Sequence, residues 1–433
     1  MKYKLLFIFL LTAACITAQD GKIISVDDCV RIGIENNKNL QVSLSKLYSV
    51  RQRLKEVKTN ELPALRLNGS YSRLSEVDPF VIMGQQIQPA ILNNTNFRLT
   101  LSQPLFTGFR LSSNTEAAEY NVFASERDYT RDVNLLTYDI RNAYWSYVKA
   151  YELKKTIEKN IEQVRTRLRD LVNQYEAGLA TNNDVLKVRV QLSNFEILLL
   201  EAGNSMDIGI LSLNNLMGIP VSTKIQPKVE NVYQTVYLPA LDSLTTQAFV
   251  NRSELKSLEM KIKSSESGIN SAKSGWYPQL NLAANYIYAN PNSRIFPSQA
   301  AFKGTWDVGI TLSYDIWNWR LTSYQTAQAK ATRDQNTLAF ELTKNNIELE
   351  VAQVYKNLQN TIERFRLTKE TVEQAKENYR VTNEKFRSGL VLNLEVVDAE
   401  TSLLLAEINY TTTIIDYFIG VAKLEKATEQ KIK

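Results

Sequence analysis

Glu395 and Asp398 lie three residues apart, a spacing that puts two carboxylates on one face of a helix. Repeated around a symmetry axis, such a pair forms a ring of acids. The ring would bind cations and raise its own pKa by like-charge repulsion. Asp184 stands in a comparable place after an earlier turn. A plainer reading is also open, because acids favour the first turns of helices, where they meet the positive end of the macrodipole. Other chemistry is scarce. The chain has no histidine, which removes the commonest base and metal ligand. Met83, Met206, Met217 and Met260 are scattered, so no soft-metal cluster is visible. Neither a phosphate-binding loop nor a nucleophile elbow is present. No catalytic residue, metal ligand or cofactor is assigned, and an enzyme has almost no support.

The acids follow two similar turns. Tyr175-Glu-Ala-Gly178-Leu179 parallels Phe386-Arg-Ser-Gly389-Leu390. Gly178 and Gly389 can take the left-handed conformation that ends a helix, with Leu179 and Leu390 as hydrophobic caps. The same duplicated turns are natural docking points for another protein, and both readings stand.

What positions these turns is a very long helix. From Leu111 to Ala177 there is neither glycine nor proline, and at about 1.5 Å per residue this makes a rod of roughly 100 Å. Its apolar residues keep a 3,4 spacing: Ile140, Ala143, Tyr147, Ala150, Ile157, Ile161, Val164, Leu168, Leu171 and Tyr175, interrupted by Lys154. A seven-residue repeat of this kind supercoils against partner helices.

The rest of the chain falls into two copies of one plan. Ser25-Val-Asp-Asp28 resembles a capping box, opening a helix to about Glu61. Two alternating stretches follow (around 65–72 and 97–102), separated by a loop from Ser75 to Asn96. The long helix comes next, then a returning helix from about Asn182 to Met217. Asn39-Leu40 and Leu62-Pro63 recur as Glu254-Leu255 and Tyr277-Pro278 at an offset of 215; Thr100-Leu-Ser102 and Gly178-Leu179 recur as Thr311-Leu-Ser313 and Gly389-Leu390 at 211. The heptad positions recur as Val351, Val354, Leu358, Phe365, Val372, Ala375, Tyr379 and Phe386. The chain therefore reads as a tandem duplication. Its segments are a signal peptide (1–18), a first repeat (19–217), a linker (218–240), a second repeat (241–428) and a short tail (429–433).

Lys2 and Lys4 before the apolar run Leu5 to Leu11 mark a secretory signal. Cys15 lies within it, and Thr12 stands where lipidation signals usually carry Leu or Val, which argues against lipidation. Only Cys29 remains after export, so no internal disulfide is expected. Without the two signal lysines the chain has 49 basic and 46 acidic side chains, too balanced for a nucleic-acid partner. No apolar run of about 18 residues follows, so no spanning helix is expected.

The second strand pair is the clearer one. Leu280, Leu282, Ala284, Tyr286 and Tyr288 alternate with mostly polar or small residues, as do Trp306, Val308, Ile310, Leu312, Tyr314 and Ile316. The same pattern suits a soluble sheet. Strands of about ten residues also fit a tilted membrane crossing, with the apolar set facing lipid. The heptad seams are committed to helix packing, so no helix face is left to cover the sheet. A sheet in lipid must close, and four strands are too few. Closure then comes from several copies sharing one barrel. Paired shorter helices stacked end to end would flank each long helix and continue that barrel as a tube.

Tyr277-Pro-Gln-Leu280 leading into a strand, Gln103-Pro-Leu-Phe-Thr-Gly108 leaving one, the two glycine turns and the two halves together resemble the TolC family, over nearly all of the mature chain. Those proteins are trimeric outer-membrane channels of Gram-negative export systems. The resemblance implies an α+β membrane protein in which long antiparallel coiled-coil helices form a periplasmic α-barrel. Three chains, with four strands each, would build a twelve-stranded transmembrane β-barrel in contact with outer-membrane lipid. It also implies a tapered inner end closed at rest, with a periplasmic adaptor and an inner-membrane pump as partners. The turns at Gly178, Leu179, Gly389 and Leu390 would meet the adaptor, and Asp184, Glu395 and Asp398 would narrow the aperture. The best-known member has tyrosine where Phe386 stands and arginine where Val391 stands, both part of its latch, so the latch here must use other contacts or be weaker. The function expected is a homotrimeric duct for efflux or type I secretion. The alternative is a periplasmic coiled-coil scaffold or adhesin with soluble strands.

Overall fold

The structure, a computed structural model, describes residues 22–76, 78, 80–82, 85–87, 91–228 and 238–431. The signal peptide with Cys15, and part of the linker, lie outside them. The chain forms two compact units, one of residues 1–42, 131–252 and 346–433, the other of residues 43–130 and 253–345.

The first unit is helical. Strand β1 (Lys22–Ile24) leads into α1 (Val26–Asn36), whose Ser25 cap accepts from the Asp28 N–H at 3.2 Å. The helix α2 (Lys38–Thr59) follows after a break at Asn37, where the sequence suggested one continuous helix. The break has a tertiary cause. Asn37 Oδ1 accepts from the Leu40 N–H at 3.1 Å, capping α2, while Asn37 Nδ2 donates to Leu216 O at 2.8 Å. Leu216 lies in the last turn of the returning helix, so one side chain satisfies both helix ends.

Two strands then build the sheet of the second unit, β2 (Ala64–Arg73) and, after the short hairpin β3 (Phe80–Ile82) and β4 (Gln85–Ile87), β5 (Asn93–Phe106). The hairpin falls within the stretch expected to be loop. Helix α3 spans Arg110–Glu176 and α4 Asn182–Met217, both within a residue or so of expectation. β6 (Ile225–Pro227) pairs in parallel with β1. The second series runs α5 (Leu241–Asn251), α6 (Ser253–Lys273), β7 (Gln279–Asn290), β8 (Lys303–Ser313), α7 (Leu321–Arg387) and α8 (Asn393–Thr428). Here too the first helix is broken, at Arg252, 215 residues after Asn37. Arg252 Nη1 reaches Lys426 O and Ala427 O at 3.3 and 3.2 Å, the end of α8, and Glu350 Oε2 at 3.1 Å. Each break is thus a clasp on the end of a 36-residue helix.

Much of the heptad seam is buried where the spacing placed it: Ile140, Tyr147, Ala150, Ile157, Ile161, Val164 and Leu171 on α3, Val351, Val354, Leu358 and Val372 on α7; Tyr175, its last position before the turn, is instead exposed. Tyr144, off that seam, is buried as well, because its hydroxyl donates to Ile24 O (3.2 Å) and Lys228 O (3.0 Å), tying the β1–β6 ribbon to α3.

The second unit holds a four-stranded antiparallel sheet in the order β2-β5-β7-β8. Its register lines up whole rows. Leu67, Leu99, Tyr286 and Trp306 stand abreast, as do Leu65, Leu101, Ala284 and Val308. Between these rows, on the opposite face, Arg66, Thr100, Asn285 and Asp307 stand abreast. The apolar face is bare: Trp306, Val308, Ile310 and Leu312 on β8 are 61–74% exposed, and Tyr286 is exposed too. Leu280 and Leu282 are half-buried, since β7 is flanked on both sides. Tyr314, expected on this strand, lies beyond its last residue. Pairing stops at Gln279 with Ser313 because the next residue along β7 is Pro278, which has no N–H to donate.

Candidate functional site

Both hairpin turns close in the same way. Gly178 N–H donates to Tyr175 O at 2.9 Å and Leu179 N–H to Gln174 O at 2.8 Å. Gly389 and Leu390 donate to Phe386 O and Lys385 O, each at 2.9 Å. The long-range 6→1 bond with a left-handed glycine is a Schellman-type end, and φ is +75° at Gly178 and +71° at Gly389. A Cβ on either glycine would meet nothing within 4 Å; the backbone angle alone requires glycine. The hydrophobic-cap role is not filled by the leucines. Leu179 is 80% and Leu390 73% exposed, with Leu392 equally bare. Each turn therefore presents leucine to its surroundings rather than to its own helix.

The acids beyond the turns differ from one another. Asp184 Oδ2 accepts from the Thr181 backbone N–H (3.2 Å) and hydroxyl (2.6 Å), and Thr181 Oγ1 accepts from the Asp184 N–H in return. This is a complete capping box. The residue before α8, Leu392, gives it no side-chain cap. Glu395 in its first turn and Asp398 one turn later are both exposed, and neither has an ion-pair partner among the described residues. Asn393 Nδ2 donates to Asp184 O at 3.3 Å, so the starts of α4 and α8 are joined and the three acids share one end of the first unit.

Two residues beyond Asp398, on the buried side of α8, sits a group that spacing did not reveal. Glu400 has no exposed side-chain surface and pairs with Arg167 of α3. Gln191 of α4 bridges them, accepting from Arg167 Nη2 at 2.5 Å and donating to Glu400 Oε2 at 3.1 Å. Three helices are thus tied by one buried polar knot, and Tyr379 of α7 lies within its field. Burial pushes the Glu400 carboxyl above the ordinary carboxylate range, against the pull of Arg167. Glu400 Oε1 and Arg167 Nε and Nη1 find no hydrogen-bond partner among the described residues. Phe386 instead packs on the apolar cluster of Ile157, Ile161, Val164, Leu171 and their α4 neighbours. No group of acids, cysteines or histidines suited to a metal occurs among the described residues. No described helix is long and apolar enough to cross a membrane.

Comparison with known proteins agrees with this architecture. The sequence model of the family described as "Outer membrane efflux protein" matches residues 32–219 and again 244–428. The chain belongs to that family, the TolC family. Its relatives include the Pseudomonas putida toluene efflux pump outer membrane protein TtgC, 22% identical over 88% of this chain and 78% of the relative. The Pseudomonas aeruginosa alkaline protease secretion protein AprF is 21% identical over 94% of this chain and 84% of its own. Among solved structures, the Campylobacter jejuni CmeC outer membrane channel superposes with a TM-score of 0.81, at 16% identity, over 94% of this chain and 86% of that one. CusC gives 0.80 at 18% identity, over 94% and 93%. As a TolC-family protein the chain resides in the outer membrane, and its family consists of channels rather than enzymes.

Sequence reasoning found both turns and missed the clasps and the knot. Asn37, Arg252 and Glu400 are ordinary polar residues in helical sequence; their partners stand 179, 175 and 233 positions away. The 215-residue offset was the one signal that could have paired Asn37 with Arg252.

Proposed function

We propose that three copies of this tandemly duplicated chain assemble into a continuous export duct. It would be fed by an inner-membrane pump through a periplasmic adaptor, with no chemistry of its own. The carrying observation is the bare apolar face of a sheet whose outer strands, β2 and β8, are each paired on one side only. Lipid tolerates no open edge, and four strands fall short of the roughly eight of the smallest barrels, so neighbouring copies must complete it. In this reading Leu280, Leu282, Tyr286, Trp306, Val308, Ile310 and Leu312 face lipid, with Tyr314 just past the strand. TtgC and AprF belong by name to toluene efflux and alkaline protease secretion, and a duct accommodates either kind of cargo.

At the narrow end, three copies of Glu395 and Asp398 would surround the opening with carboxylates, whose shared field a low-dielectric wall strengthens. Trivalent or divalent cations should block single-channel current in planar bilayers. Glu395→Gln with Asp398→Asn keeps size and removes charge, so cation block and cation preference should both disappear. Retention of both would reduce these acids to helix-start residues, and wild-type trimers that conduct no current would remove the duct itself.

The exposed leucines of the turns suit an apolar groove on the adaptor. Gly389→Val forces a β-branched residue to positive φ, at a strain of order 1–3 kcal/mol confined to the turn. Export should fail while trimers remain in the membrane at wild-type level. Loss of the trimers instead would make Gly389 a structural helix end only.

A further inference from the structure

The connection between β7 and β8, residues 291–302, lies at the end of the sheet away from the flanking helices. Asn292, 3% exposed, donates from Nδ2 to Thr305 Oγ1 (3.2 Å) and Lys303 O (3.0 Å), and its Oδ1 accepts from the Arg294 N–H at 3.0 Å. Arg294 Nη2 then reaches Asp307 Oδ1 at 2.5 Å. Thr305 and Asp307 stand opposite Ile287 and Asn285, on the polar face of the sheet. Ile287 and Ala289 of β7 are buried on that same face, whereas Tyr286 and Tyr288, pointing the other way, stay exposed. The Asn292–Arg294 turn therefore folds over the polar face, while the loop returns on the other side, where Phe302 stacks on Tyr288 at 5.1 Å between ring centroids.

Its anchor is fixed across the sheet. Asp307 also accepts from Asn285 Nδ2 at 2.9 Å, and Asn285 Oδ1 accepts from Thr100 Oγ1 at 2.8 Å. The row that begins at Arg66 thus holds the carboxylate in place for Arg294. Arg98 lies two residues from Thr100 on the same face and acts on Asp307 through its charge. Two guanidiniums converge on one carboxylate, so the local balance is cationic, the reverse of the acids beyond the glycine turns.

We propose that the Asn292–Arg294 turn of the 291–302 loop forms an inward-folded strap at the outer mouth of the duct, with Arg294 and Asp307 as its tether. Arg98, Arg294 and Asp307 are then specificity-determining: the strap limits the size of what passes, and the arginine excess favours anionic over cationic solutes at this end. The inference rests on the duct reading, because only a closed barrel turns the polar face into a lumen. Arg294 is 42% exposed, so Arg294→Gln should leave folding untouched; Asp307→Asn removes the other half of the tether at constant size. In planar bilayers, trimers of either variant should show at least a doubled single-channel conductance, and cells carrying them should become sensitive to a large hydrophilic antibiotic such as vancomycin. The charge swap Arg294→Asp with Asp307→Arg should return both towards wild type. Wild-type trimers that conduct, with Arg294→Gln and Asp307→Asn trimers indistinguishable from them, overturn the strap alone. Wild-type trimers that never conduct overturn the duct, and the strap with it.

Discussion

Glu400→Ala should destabilise the helical unit by about 3–5 kcal/mol, because removing one partner of a buried ion pair strands the other charge. Arg167 is only 11% exposed on its side chain and would keep just the Gln191 amide oxygen. Glu400→Gln should lose far less, since an amide fills the space and holds the contact to Gln191 while shedding a desolvated charge. The two variants separate pairing from packing. A pH dependence follows from the raised carboxyl. Folded Glu400 takes up a proton more readily than unfolded Glu400, so its contribution to stability grows as pH falls through the folded pKa. That contribution is lost as pH rises above it. The helical melting midpoint of wild type relative to Glu400→Gln should therefore drop between the ordinary glutamate value of 4.5 and the raised one. Thermal unfolding of detergent-solubilised protein across mild acid to neutral pH measures this. Equal midpoints for wild type and Glu400→Ala would show that the knot contributes nothing. Under the duct reading the knot also supplies the contact that Phe386 and Val391 cannot, holding α8 to α3 and α4, so a looser Glu400→Ala channel should leak when no pump is engaged.

Val308→Arg should abolish membrane assembly. Val308, at the middle of β8, is 61% exposed on the apolar face of an edge strand, and an arginine facing lipid costs about 2–4 kcal/mol near the midplane. Three symmetric copies would multiply that penalty. Gly309→Arg is the matched control, one residue away and on the other face, opposite Ala283, where a side chain meets nothing within 4 Å; it should assemble normally. Membrane fractionation with quantification of trimer yields the answer, and equal yields for the two variants would reverse the assigned faces.

The clasps illustrate how local and distant information divide. Asn37 and Arg252 interrupt helices that propensity would carry straight through, because the ends of α4 and α8 arrive beside them with carbonyls to satisfy. Nothing within a few residues of either position announces that arrival. The end of β8 is similar: the alternation runs on through Tyr314 and Ile316, yet pairing stops at Gln279, the residue after a proline.

The long helices, their seams, both glycine turns, the four main strands and the faces of those strands were all written in the order of residues. Each depends on what a residue does within about seven positions of itself: a missing glycine or proline, a 3,4 or 2 period, a left-handed angle. The family likeness was legible for the same reason, as those local signs recur in one order along the chain. The burial of Glu400, the joining of α4 and α8 at Asn393, the helix breaks and the side to which the Asn292–Arg294 turn folds came only with the fold. Each is a choice of partner by a polar side chain. Such a choice is made where elements remote in sequence converge, and where a buried donor or acceptor without a partner would cost more than the bend that supplies one.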